Sequence, residues 1–297
     1  MRAFRHLKAF MSIIEQLQVT AQYLIPQHTV SVLAGKLAES QTPWFKNWFI
    51  QRFAKAYQID MSIAVEPELT QYASFNEFFT RPIRPETRPI DADINSFCSP
   101  VDGCMSQFGP IESGRLIQAK NHHFTTLEVL GGDESQAAHF AEGEFCTIYL
   151  APKDYHRIHM PCDGKLVKMS HIPGRLFSVN PLTANNVPHL FARNERVVSY
   201  FETDFGLMAM IAVGATIVGS IETVWQGTIT PPTAKSVTHW DYAEQNIHLE
   251  KGAEMGRFKL GSTVILLMQK ASWQWAEKIG LQQDIRLGEK LITRKPD

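Results

Sequence analysis

The sequence predicts an α+β fold in which N-terminal helices pack on a mostly antiparallel β body. Three observations lead there. Apolar residues recur at helical spacing through residues 4–57. A proline-spaced connector, RPIRPETRPI at Arg81–Ile90, then prevents any helix from continuing. Beyond it the chain reads as short apolar runs separated by turn residues, the pattern of strands and hairpins. With 297 residues, 44% hydrophobic and 20% charged, the chain is long enough for a large core and a small second module. The boundary is expected near residue 60, giving a helical segment 1–60 and a β-rich body 61–297.

In the front segment, Phe10, Ile13, Ile14 and Leu17 mark one helix, which Pro26 ends. A second is expected over His28–Glu39. A third runs from Pro43, where a missing N–H costs nothing, to about Tyr57. It carries Trp44, Phe45, Trp48, Phe49 and Phe53 beside Lys46, Arg52 and Lys55. Rings interleaved with cations suit a bilayer interface. The same stripe equally serves a helix packed on the body through its aromatics. Gln16–Gly35 lacks charge but is broken by polar residues and Pro26, a poor membrane span, and the N-terminus does not read as a signal peptide.

One short helix is expected at Tyr72–Thr80. Strands are expected at Phe145–Ala151, Gly164–Ile172, Arg196–Glu202, Gly206–Val213 and Ala215–Val224, with turns at Asp204-Phe205-Gly206 and Gly214. Lys259–Gln269 reads as a strand interrupted by Gly261-Ser262.

The formal net charge of −1 excludes a polyanion binder, and no nucleic acid is expected. The charge is uneven, however. Residues 1–57 hold seven Lys/Arg against two Glu, a surplus of +5, which leaves −6 for the rest. A basic front on an acidic body predicts local attraction to something anionic, unless it is simply a solvated face. Four cysteines, Cys98, Cys104, Cys146 and Cys162, form no CxxC pair and fit a reducing compartment.

The most informative chemistry lies near the C-terminus, in GAEMGRFKLGST at Gly252–Thr263. Gly256-x4-Gly261 has phosphate-loop spacing, but Ser262 stands where that loop needs lysine, and an apolar strand follows instead of a helix. No G-x-S-x-G surrounds Ser262, so a hydrolase elbow fails too. Gly-Ser inside an apolar strand can rearrange. Glycine admits backbone conformations that strain other residues, and the serine hydroxyl can attack the preceding carbonyl to give an ester. Elimination from that ester leaves dehydroalanine, which hydrolyses to a pyruvoyl group. Most such Gly-Ser pairs only turn the chain.

Two clusters add weight. YHRIHMP at Tyr155–Pro161 places His156 and His159 three residues apart, sharing a helical face or pointing differently from a loop. A zinc site of His156, His159 and Cys162 lacks a companion ligand pair, so no metal is expected. SPVDG at Ser99–Gly103 places Asp102 in a turn, where it either serves the turn or orients a histidine. Asp, His and Ser together can activate a hydroxyl in any chain order.

Together these segments resemble the phosphatidylserine decarboxylases of the bacterial membrane-associated type. The resemblance rests on FNEFFTRP at Phe75–Pro82, PVDG at Pro100–Gly103, DYHRIHMP at Asp154–Pro161, LFARNERV at Leu190–Val197, VGATIVGSIETVW at Val213–Trp225 and EMGRFKLGST at Glu254–Thr263. It spans about residues 20–270 without departure at a functional position, and the last motif is highly specific.

The resemblance implies a proenzyme that cuts itself at Gly261-Ser262 into chains of 261 and 36 residues, held together as a heterodimer. A dimer of such heterodimers stays open. Ser262 would become the pyruvoyl prosthetic group (covalent pyruvate). Asp102 and His159 would form the processing triad with Ser262, while His156 would serve decarboxylation. The substrate would be phosphatidylserine, turned over through a Schiff base to phosphatidylethanolamine, on a peripheral enzyme at the anionic cytoplasmic membrane face. Two alternatives remain: a pyruvoyl decarboxylase of a soluble amino acid, and a non-enzymatic peripheral membrane protein.

Overall fold

The computed structural model describes residues 13–119, 122–216, 220–230, 235–259 and 262–295. Phe10, the basic residues Arg2, Arg5 and Lys8, and Gly261 lie outside them. Helices α1 (Ile13–Leu24), α2 (Gln27–Ala38) and α3 (Pro43–Tyr57) form the front, followed by the short α4 (Phe75–Phe79). The strands that build the site are β1 (Gly103–Pro110), β2 (Glu144–Leu150), β3 (Arg157–His159), β4 (Gly164–Ile172), β5 (Arg196–Thr203), β6 (Gly206–Val213), β7 (Ile221–Thr223), β8 (Glu254–Phe258) and β9 (Ser262–Met268).

A nine-stranded antiparallel sheet dominates the body, with central order β4-β5-β6-β9-β2-β1. A smaller sheet contains β7, β8 and β3. Strand β9 sits at the centre of the large sheet and is buried throughout, which its unbroken STVILLM run requires. Alternation sends Val264, Leu266 and Met268 into one core, together with Ile158, Met255 and Phe258 of the small sheet. Ile265 and Leu267 enter a second core on the opposite face. By the same alternation Ser262 shares the face of Val264, toward the small sheet, whose strand β3 ends at His159.

The helical front has its own core. Ile50 and Ala54 of α3 pack with Ala38, Tyr72, Phe75, Phe78 and Phe79. The aromatic stripe of α3 therefore divides. Phe49 stacks on Phe75 at 4.4 Å and Phe53 meets it edge-on at 4.9 Å, so these two face the protein. Trp44 and Trp48 stay 74% and 57% exposed. Lys46 also turns inward, its ammonium bonded to Asn47 Oδ1 and the Thr70 carbonyl. Among the described residues no helix is long and apolar enough to cross a membrane.

Two expected elements are shorter in the structure. The helix expected from Tyr72 starts only after Ser74, whose side chain caps it by accepting from Glu77 N. Tyr72 instead donates its hydroxyl to the Glu66 carbonyl. Of the strand expected over Ala215–Val224, the described part is extended only at Ile221–Thr223, which joins the small sheet.

Candidate active site

One end of the large sheet gathers most of the residues singled out in the sequence. Ser262 begins β9 opposite Leu150 at the end of β2. Gly103 begins β1 beside Tyr149, so close that a Cβ on it would lie 2.5 Å from the Tyr149 carbonyl oxygen. Glycine is thus required immediately after Asp102. The backbone N–H of His159 donates to the Pro100 carbonyl at 2.9 Å, which ties strand β3 to the Asp102 loop.

Ser262 is 1% exposed, and its Oγ has no hydrogen-bond partner among the described residues. An unsatisfied buried hydroxyl costs about 1–3 kcal/mol, so the position is not optimised for stability. Thr263 Oγ1 is likewise unpartnered, but alternation aims it at the opposite face.

The two histidines meet different surroundings: His159 ends β3, and His156 stands just before its first residue. His156 is fully buried, its ring centroid 4.0 Å from that of Phe79. Its Nδ1–H donates to the Asp154 carbonyl at 2.8 Å, which fixes the tautomer, while Nε2 has no partner. Burial pushes its pKa down to about 3, so the ring is neutral and its free nitrogen can only accept. His159 donates from Nδ1 to the Gly252 carbonyl at 2.8 Å and accepts at Nε2 from the Tyr155 hydroxyl at 3.1 Å. Burial lowers its pKa as well.

Asp102 is also buried, but its carboxylate does not meet His159. Arg88 grips it with Nε at 2.8 Å from Oδ1 and Nη2 at 2.6 Å from Oδ2, and Leu287 N donates to Oδ1 at 2.8 Å. Asp102, His159 and Ser262 thus come from adjoining elements without hydrogen bonds linking all three. Among the described residues no three His, Cys, Asp or Glu converge as a metal-binding group. The four cysteines are free.

Beside this cluster lies a cavity of about 330 Å3 lined by Asp102, Arg88, Arg81, Asp154 and Tyr155 among others. Burial raises Asp154 to about 6, although the Ala151 N–H donates to its side chain. Sequence reasoning missed Arg88, Tyr155, Arg81 and Phe79 as parts of the site. The signal was available: FNEFFTRP supplied Phe79 and Arg81, and the connector read only as a helix breaker supplied Arg88.

The chain is similar along most of its length to proteins of one kind. A family model described as phosphatidylserine decarboxylase matches residues 75–293, and a second, described as PSD, matches residues 17–58. A phosphatidylserine decarboxylase proenzyme of Shewanella amazonensis is 54% identical over 280 residues, covering 93% of this chain and 98% of the relative. One from Pseudomonas putida is 54% identical over 280 residues, covering 94% and 98%. One from Shewanella baltica is 52% identical over 286 residues, covering 95% and 98%.

Proposed function

The chain belongs to the phosphatidylserine decarboxylase family, and we propose that it converts phosphatidylserine to phosphatidylethanolamine with a pyruvoyl group made from its own Ser262. The observation that carries this reading is the buried Ser262 hydroxyl, unpartnered among the described residues, at the head of the central strand. Such a hydroxyl fits a residue kept for chemistry rather than for packing.

Processing starts when Ser262 Oγ attacks the Gly261 carbonyl carbon and the peptide C–N bond breaks, leaving an ester. A base removes the Ser262 Cα proton, the Cβ–O bond breaks, and residues 1–261 leave with a terminal carboxylate. The dehydroalanine that remains takes up water and releases ammonia. We assign the proton transfers at Ser262 to His159, oriented by Asp102. In that assignment His159 exchanges its bond to Tyr155, and Asp102 reorients within the grip of Arg88, before attack. Both imidazoles are held neutral by burial, the state a proton acceptor needs.

In turnover the pyruvoyl ketone supplies an electron sink for the pair released as carbon dioxide leaves. The substrate amine arrives as an ammonium and must lose a proton before it can react. His156 Nε2 is a free acceptor on a ring locked by the Asp154 carbonyl; once the anions of the bound substrate lie beside it and raise its pKa from about 3, it takes that proton and returns it to carbon after carbon dioxide has gone. The direct test is intact mass together with carbon dioxide release from phosphatidylserine in mixed micelles. We expect chains of 261 and 36 residues and steady release. A single active chain of full mass would refute the pyruvoyl mechanism.

The helical segment 1–60 is assigned to peripheral binding at the anionic cytoplasmic membrane face. Its support is the exposed apolar set of Leu24, Leu33, Leu37, Trp44 and Trp48 beside the exposed cations Lys36, Arg52 and Lys55. Lys46 drops out of this set because it is buried. Full-length protein should bind vesicles containing phosphatidylserine, and less so at high salt. Replacing Arg52 and Lys55 by glutamine should weaken binding about thirtyfold, at about 1 kcal/mol per cation. Trp44→Ser with Trp48→Ser should weaken it at any salt. Unchanged binding in both double variants would remove the helices from the interface.

A further inference from the structure

Arg81 is anomalous among the charged residues. It is 2% exposed, yet its Nε has no hydrogen-bond partner. Its Nη1 makes only a long contact to the Phe78 carbonyl at 3.5 Å, and the guanidinium lies 5.4 Å from the centroid of the Phe78 ring. Among the described residues no carboxylate pairs with it. Arg196, equally buried, shows what a structural arginine looks like here. It donates to the carbonyls of Val129, Asn194 and Glu128 at 2.6–2.7 Å. A buried cation with an unused donor is costly unless an anion arrives to complete it.

Arg81 lines the cavity together with Asp102, Tyr155, Lys153 and Arg286. At about 330 Å3 the space falls within the roughly 300–1,000 Å3 of small-ligand sites. Asp60 and Asp284 also line it, and this mixed charge suits a headgroup that carries an ammonium as well as anions. Resting on the reading of the chain as a phosphatidylserine decarboxylase, we propose that Arg81 holds the phosphodiester of the substrate headgroup in this cavity.

The headgroup offers two anions, and chemistry selects between them. Its carboxylate must lose its charge as carbon dioxide departs. A cation on that group stabilises the ground state more than the transition state and slows the reaction. The phosphodiester keeps its charge throughout, so an ion pair there supports binding without opposing chemistry. A guanidinium also matches two phosphate oxygens with parallel donors.

The test compares wild type, Arg81→Gln and Arg81→Lys as cleaved, full-length enzymes. Three quantities are read: KM for phosphatidylserine in mixed micelles, kcat, and inhibition by glycerophosphoethanolamine. That inhibitor carries the phosphodiester and amine but no carboxylate. Arg81→Gln should raise KM about tenfold or more, as loss of a charge-assisted bond does. It should raise the inhibition constant in parallel while kcat changes far less. Arg81→Lys should recover part of both. Self-cleavage and thermal melting report the fold. If the glutamine variant fails to fold, the lysine variant carries the test, because it keeps the charge and loses the fork. A raised KM with unchanged inhibition would make the carboxylate the partner and overturn the proposal. So would an unchanged KM in a folded, cleaved variant. A wild-type enzyme that ignores phosphatidylserine would instead overturn the underlying function.

Discussion

Ser262→Ala yields a single uncut chain without decarboxylase activity, and it does so without loss of stability. The two halves of this expectation have separate physical causes. Activity vanishes because alanine has no oxygen to attack the preceding carbonyl, and no residue in the chain can take over a step that consumes the serine itself. Stability is retained because Ser262 Oγ, in its buried position, makes no hydrogen bond to any described residue. Replacing an unsatisfied hydroxyl by hydrogen removes a desolvation cost of about 1–3 kcal/mol while leaving a void smaller than a water molecule. The thermal midpoint of Ser262→Ala should therefore equal or exceed that of a freshly made, still uncut wild-type chain. Gel mobility, intact mass and a melting curve read all three properties. Cleavage of the alanine variant would end the self-processing mechanism. A drop of several degrees would show that the hydroxyl has a stabilising partner.

How much of this was legible in the sequence depends on the range of the interaction. The start of α3 was visible because Pro43 fits the first helical turn, and the central strand because STVILLM can only be buried on both faces. Ser262, His156, His159 and Asp102 stood out by residue type and motif, and the fold brings their segments to one end of the sheet. Their partners were hidden. The carboxylate of Asp102 is held by Leu287 N, 185 residues away, and His159 by the Gly252 carbonyl, 93 residues away. Backbone donors and acceptors carry no residue-type signature, so no motif could point to them. The inward turns of Phe49 and Lys46 are likewise tertiary choices, the first decided by the aromatic pocket of Phe75, Phe78 and Phe79 and the second by Asn47 Oδ1 and the Thr70 carbonyl.

The assignment of the two histidines yields the second large effect. His159→Ala should remain one uncut chain, and Asp102→Asn should mature at least about a hundredfold more slowly, since members of such a unit do not act independently. Asp102→Asn also strips the largely buried Arg88 side chain of its anion, a change that can cost about 3–5 kcal/mol, so the melt must be read beside the cleavage rate. Tyr155→Phe frees His159 Nε2 without touching either residue, and should leave processing intact or faster. His156→Ala, in contrast, should cut normally and decarboxylate at least about a hundredfold more slowly, the usual worth of a placed acid–base. A stability measurement shows whether the histidine that was removed is the buried neutral one. Its folded pKa of about 3 lies below the ordinary value near 6.5, so the unfolded chain binds the extra proton between those limits. Stability is therefore lost as pH falls from about 6.5 toward 3, by up to about 1.4 kcal/mol per unit, and His156→Ala should flatten that slope. The case for separate roles is geometric. His156 faces Phe79 with an open acceptor, whereas His159 adjoins the Asp102 loop and already exchanges a hydrogen bond with Tyr155 on the cavity wall. After cleavage the Ser262 hydroxyl no longer exists, and its base loses its target, while turnover still requires a proton carrier at the substrate carbon. An uncut His156→Ala protein with the flattened slope would mean that His156 Nε2, not His159, takes the Ser262 proton, and the roles would have to be exchanged.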